Sequence, residues 1–226
     1  MILSRRTLAR LGATVVAAAA LGTTLPALAA SPRVKFVTTD GDFVVELYPD
    51  AAPKTVANFL QYVKDGHYNG TIFHRVIKSF MVQGGGYDTD YKEKPTRASI
   101  NHEGRQALAK GLKNVRGAIA MARTNDPYSV KAQFFINVVD NPRLDPVILP
   151  AGDPVTFEYQ GQLQKDIPRA QVENHPALFG YTVFGKVVSG MDTVDKIRDE
   201  PTGAGGPFPS AVPQKPVVIQ SATLIH

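Results

Sequence analysis

Phe73-His74-Arg75-Val76-Ile77-Lys78-Ser79-Phe80-Met81-Val82-Gln83-Gly84-Gly85 reads as two adjoining strands, 71 to 77 and 80 to 83, parted by Lys78-Ser79. β-branched and aromatic residues fill both runs, and small or polar residues stand between them. Strand alternation places Phe73, Arg75 and Ile77 on one face and turns His74 away from Arg75. The pattern sets a permanent cation beside aromatic and thioether side chains on neighbouring strands. Further β-type runs lie outward from it at 34 to 39, 42 to 48, 117 to 122, 133 to 139, 181 to 188 and 216 to 225. Gly, Pro or Asn separates most of them. Asp40-Gly41 is a two-residue hairpin signal joining the first pair, so the sheet opens antiparallel.

Two stretches have helical spacing. Pro53 begins a run in which Val56, Phe59, Leu60 and Val63 fall at i, i+3, i+4 and i+7, ending at Gly66. The second covers 191 to 198, with Met191, Val194 and Ile197 as its stripe and Ser189-x-x-Asp192 in the form of a capping box. Many strands and two α-helices predict a mainly β fold, a closed antiparallel barrel with the helices covering its ends. Residues 88 to 114 are polar and read as a long solvated loop. The five prolines of 145 to 179 surround one β-like piece, Val155 to Tyr159, and the Gly/Pro-rich stretch 201 to 213 reads as a surface connection to the last strand.

Residues 1–29 read as an address rather than as structure. Ser4-Arg5-Arg6-Thr7-Leu8 precedes an uncharged, Ala-rich stretch closing on Ala27-Leu28-Ala29, the form of a cleavable signal peptide with a twin-arginine route. An ordinary secretory signal and an uncleaved anchor are the alternatives; the small-x-small ending and mild hydrophobicity favour cleavage. The mature protein is then expected to be one domain, 30–226, periplasmic or secreted, with no stable membrane insertion. The chain has no cysteine, which excludes disulfides, thiolate catalysis, Cys-ligated zinc and lipoprotein acylation. Of the formal charge of +5, three units come from Arg5, Arg6 and Arg10, so the remainder carries +2. Without a basic stripe, nucleic acid is not an expected partner. The five histidines, at 67, 74, 102, 175 and 226, have no paired metal spacing.

Arginine offers five donors and no acid–base step, so a site built on Arg75 can supply only hydrogen bonds and field. An isolated strand arginine is more often a guanidinium reaching from apolar surface to water. Here the neighbours change that reading. The opening stretch resembles the signature of the cyclophilin family. The likeness continues in order through Gly117-Ala118-Ile119-Ala120-Met121-Ala122-Arg123, Gln133-Phe134-Phe135-Ile136-Asn137 and Tyr181-Thr182-Val183-Phe184-Gly185-Lys186-Val187.

The resemblance implies a barrel of about eight strands with two capping helices and peptidyl-prolyl cis/trans isomerase activity without metal or cofactor. It implies proline-containing peptide segments as partners and Arg75 as the catalytic donor. Phe80, Met81, Phe135 and Leu144 match the family's proline-pocket positions. Gln83, Gln133 and the backbone around Ala122 and Arg123 match those that fix the peptide. Tyr181 stands where familiar eukaryotic members have histidine, and Arg143 where the family usually carries an aromatic. About thirty residues, 146–178, are additional to a minimal family member and spring from the pocket rim. The expected function is X-Pro isomerisation in the folding of exported proteins, by a monomer. The alternative is a proline-segment-binding chaperone, or holdase, without significant turnover.

Overall fold

The computed structural model describes residues 31–225; the leader reading lies outside them. The elements run β1 (Arg33–Thr38), β2 (Gly41–Leu47), α1 (Pro53–Lys64), β3 (Thr71–Ile77), β4 (Met81–Asp88), α2 (Gly104–Ala109), β5 (Ala118–Met121) and β6 (Phe134–Asn137). They continue with β7 (Val155–Tyr159), β8 (Gln162–Ile167), α3 (Arg169–Val172), β9 (Val183–Ser189), α4 (Met191–Asp199), β10 (Thr202–Gly205), β11 (Phe208–Pro213) and β12 (Val218–Ile225). Eight strands close into an antiparallel barrel in the order β1-β12-β3-β4-β6-β5-β9-β2, as the β runs predict.

The barrel interior is filled by inward-facing residues of its strands, among them Phe36, Phe43, Val82, Ile119, Phe134, Ile136 and Phe184. Phe36 and Phe43 stack at 4.7 Å between ring centroids, and Phe134 meets Tyr68 edge-on at 5.5 Å, offset and edge geometries that suit ring quadrupoles. Helix α1 lays Val56, Phe59 and Val63 on this core. Its N-cap position, Ala52, has no side-chain acceptor. Glu103, distant in sequence, serves instead, accepting from the Lys54 and Thr55 N–H groups at 3.0 and 2.8 Å and from the Thr55 hydroxyl. A buried carboxylate thereby meets the positive end of the helix.

Several expectations need correction. Among the described residues there are four α-helices rather than two. The polar 88 to 114 segment contains α2, whose Gln-Ala-Leu-Ala composition favours helix and whose Ala107 is buried. The first hairpin turns on Thr39-Asp40, because Thr38 pairs with Gly41. Gly41 is needed one place later, at φ 131°, where a Cβ would lie 2.7 Å from the Thr193 hydroxyl. The capping box does not form: Ser189 remains in β9 and left-handed Gly190 (φ 77°) precedes α4 without a side-chain cap. Residues 201 to 213 are not a plain connection but the hairpin β10–β11. Outside the barrel, β7 and β8 form a second hairpin with its own small core of Val155, Phe157 and Leu178.

Candidate active site

Cross-strand pairing builds the site as one row. Arg75 on β3 faces Gln83 on β4, Gln83 faces Phe135 on β6, Phe135 faces Ala120 on β5, and Ala120 faces Val183 on β9. The next row along β4 and β6, Val82 opposite Ile136, points into the barrel and continues to Ile119. The pleat therefore sends one set of side chains inward and the other to an outer groove. On that outer side Met81, Ala118, Ala120, Phe135 and Val183 form a separate buried cluster, flanked by Ile77, Phe80, Ala122, Leu144 and Tyr181.

The expectation that Phe73, Arg75 and Ile77 share a face does not hold. Phe73 and Val76 both join the barrel core. The β3–β4 register shifts between Phe73 and Arg75, so a bulge resets the alternation and aims Arg75 outward. His74 then packs under the β10–β11 hairpin, 4.7 Å from the Tyr87 ring centroid and 5.4 Å from that of Phe208. It is 3% exposed, and its Nδ1 has no hydrogen-bond partner among the described residues. Burial lowers its pKa to about 4, with the Arg75 charge acting in the same direction.

A cleft of about 90 Å³ is lined by Arg75, Phe80, Met81, Gln83, Ala122, Arg123, Phe135, Leu144 and Tyr181. Its floor is Met81 and Phe135, with Tyr181 meeting the Phe135 ring edge-on at 5.4 Å. Gln133 lines the adjoining cleft of about 340 Å³, which shares Gln83, Ala122 and Arg123 with the first. Arg75 Nη1 donates to Gln83 Oε1 at 3.2 Å, and Gln83 Nε2 donates to Gln133 Oε1 at 3.0 Å. The two amides thus carry the guanidinium's orientation from one cleft into the next.

Leu144 is set by a polar lattice behind it. Buried Asn137 donates to the Ala118 carbonyl at 3.2 Å and accepts from Asn141 at 2.7 Å; Asn141 also donates to the Phe80 carbonyl at 2.9 Å. Asp145 Oδ1 accepts from the Asn114 backbone and side chain at 2.7 and 2.9 Å. The Leu144 N–H donates to the Asn141 carbonyl at 2.9 Å, so two lining residues of the pocket, Phe80 and Leu144, are tied to the same asparagine.

Two guanidiniums line the cleft, and their surroundings differ. The Arg75 side chain is exposed and, among the described residues, makes one hydrogen bond, the one to Gln83. Arg123 donates to the carbonyls of Gly180 (2.8 Å), Thr124 (2.9 Å), Asn125 (3.3 Å) and Pro176 (3.1 Å), and its Cζ stands 4.9 Å from the Tyr181 ring centroid. Arg123 is occupied as a brace; Arg75 retains donors for a ligand. Sequence reasoning assigned Arg123 only backbone contacts and missed this side-chain role. The Ala122 N–H is likewise engaged, by the Gln133 carbonyl at 2.9 Å.

Residues 33–224 match the family model for the cyclophilin type peptidyl-prolyl cis-trans isomerase/CLD. Peptidyl-prolyl cis-trans isomerase B of Escherichia coli (strain K12) is 44% identical over 191 residues, spanning 84% of this chain and 98% of that protein. Peptidyl-prolyl cis-trans isomerase A of Dickeya dadantii (strain 3937) is 43% identical over 218 residues, spanning 96% and 97%. A solved Cryptosporidium parvum cyclophilin type isomerase shares the fold with a TM-score of 0.60 at 23% identity, over 87% of this chain and 98% of that one. A second structure of that protein, obtained in the presence of the dipeptide Ala-Pro, gives a TM-score of 0.59 over 86% and 99%. With barrel, family match and relatives in agreement, this chain belongs to the cyclophilin family and is a peptidyl-prolyl cis-trans isomerase.

Proposed function

We propose that Arg75 is the catalytic residue of this isomerase, and that its substrates are X-Pro segments of proteins folding outside the cytoplasm. Rotation about an X-Pro bond is opposed by amide resonance, a barrier of about 18–20 kcal/mol, and no covalent bond need break. A site that binds the twisted amide better than either planar form lowers that barrier. The proline ring sits on Met81 and Phe135 between Phe80, Leu144 and Tyr181. Arg75 donates to the amide as resonance is lost, at the proline nitrogen lone pair or at the carbonyl preceding it. Gln83 and Gln133 hold the flanking backbone so that one side stays fixed while the other turns.

The single observation that carries this reading is the contrast in donors. Arg75 spends one hydrogen bond on the protein, beside an apolar cleft, whereas Arg123 is committed to four carbonyls. Removing a preorganised donor of this kind costs about 10²–10³ in turnover. NMR exchange on a short X-Pro peptide should show that loss in Arg75→Ala relative to residues 30–226 of the wild type. Peptide binding with no turnover in either protein would favour the proline-binding chaperone.

The extracytoplasmic setting is supported by the Arg5-Arg6 leader and its Ala27-Leu28-Ala29 ending. It is supported too by a chain without cysteine, which needs no oxidase in an oxidising compartment. The active unit is a monomer. N-terminal sequencing of exported protein should begin at Ala30; a retained leader would instead favour an anchored form.

A further inference from the structure

Segment 145 to 180 leaves the barrel at the pocket rim and returns to it there. Its ends are locked together: the Val147 N–H donates to the Leu178 carbonyl and the Tyr181 N–H to the Leu144 carbonyl, each at 2.9 Å. A Cβ at Gly180 (φ 56°) would collide with the backbone of Asp145 and Pro146, so the crossing demands glycine. Two arginines outside the segment hold this base, Arg105 from α2 and Arg123 from just beyond β5. Arg105 donates to the Val147 and Glu173 carbonyls at 3.0 Å each and stands 4.7 Å from the Phe179 ring centroid. Arg123 holds Pro176 and Gly180. Within the segment, Val155, Phe157 and Leu178 are buried against Val147, Leu149, Tyr159, Ile167 and Val172. A segment with its own core and a closed, pinned base is a fixed wall rather than a lid.

Between this wall and the pocket rim runs a groove of about 740 Å³, with Arg143, Val147, Ile148, Pro150, Phe157 and Tyr159 among its lining. It borders the proline pocket along the chain: Leu144 lines that pocket, and the residues flanking Leu144 in sequence, Arg143 and Asp145, line the groove. Ile148, among the groove's lining, is a large apolar side chain left 52% exposed.

We infer that this groove is an extended substrate subsite that takes apolar side chains of the client chain two to four residues from the isomerised proline. The inference rests on the reading of the Arg75 cleft as the site of isomerisation. An extended peptide advances roughly 3.3 Å per residue, and the two linings adjoin at Arg143 and Leu144, so a chain seated in the pocket and crossing that rim meets the groove a few residues from the proline. Apolar residues close to a proline are exposed in a chain that has not yet folded and covered once it has. The subsite therefore selects unfolded clients over native ones, and Arg143 at the rim favours an acidic residue between proline and apolar anchor.

The test compares one X-Pro tetrapeptide with the same peptide extended on each side by Leu-Val or by Ser-Gly, using NMR exchange and titration. In the wild type the Leu-Val extension should lower KM about five- to tenfold relative to Ser-Gly, the effect of partly covering one aliphatic side chain. Ile148→Asp should abolish the difference while leaving tetrapeptide turnover unchanged. Equal KM values for both extensions in the wild type, or an advantage that survives Ile148→Asp, would overturn the subsite. Titration of the extended peptides into Arg75→Ala separates this from the catalytic reading: the affinity difference should persist there even though turnover is lost. Should the wild type fail to turn over any peptide, the isomerase assignment of the cleft fails, and the titration still decides the groove.

Discussion

Phe134 and Phe135 are neighbours on β6, both buried, at 0% and 4% exposure, yet they belong to different regions. Phe134 joins the barrel interior with Phe36, Phe59, Tyr68 and Phe73 around it. Phe135 joins the outer cluster, where its row neighbours are Gln83 and Ala120. The same residue type is a core ring on one face and a binding floor on the other. What differs is the company: the inner row is filled by large side chains, whereas Ala118, Ala120 and Ala122 leave the outer row open beside Arg75. A pocket here is a second core left unfinished on one side, with hydrogen-bond donors at its edge.

The sharpest way to break that contrast is truncation at both rings. Phe134→Ala should destabilise the protein by about 3–5 kcal/mol, because the cavity it leaves is enclosed. Phe135→Ala should cost about 1–2 kcal/mol, its site opening onto solvent, and should raise KM for X-Pro peptides. Urea unfolding of both variants decides it. Equal losses of stability would show that the outer cluster is ordinary core.

His74 supplies the next largest effect, since it is covered by Phe208 and Tyr87 while adjacent Arg75 lies open. Its imidazole is held near a pKa of about 4 by burial, against about 6.5 when unfolded. Above pH 6.5 both states are neutral and nothing is lost. As pH falls from 6.5 towards 4 the unfolded state takes the proton and the native state does not. Stability should fall by up to about 3 kcal/mol over that window. His102, also held at about 4, adds in the same direction, so His74→Phe should reduce the pH dependence without removing it. A stability curve unchanged by His74→Phe would contradict the burial account.

The barrel was legible because its signals are local. Runs of β-branched and aromatic residues parted by Gly, Pro or Asn marked the eight barrel strands, and Pro53 with its i, i+3, i+4, i+7 stripe marked α1. The cleft was legible through family order: every residue now lining it stood in one of the quoted runs or, for Leu144, just beyond them. What stayed hidden depends on partners distant in sequence. Arg123 braces carbonyls at 176 and 180, and Glu103 caps a helix that begins at Pro53; neither partner can be read from local pattern. A pocket arginine followed by a proline-rich insertion was the only hint of the brace. The β10–β11 hairpin was hidden by its glycines and prolines, which mask alternation, and α2 by its polar setting, although Gln106-Ala107-Leu108-Ala109 carried helix formers. The bulge that redirects Arg75 was hinted only by Gly84 and Gly85 opposite it.

The most direct test measures exchange rate and affinity for one X-Pro peptide in the same samples of wild type and Arg75→Ala. The account predicts turnover lower by about 10²–10³, with the dissociation constant changed by less than about threefold and urea stability within about 0.5 kcal/mol. Turnover retained in Arg75→Ala, or turnover and affinity falling together by the same factor, would contradict it.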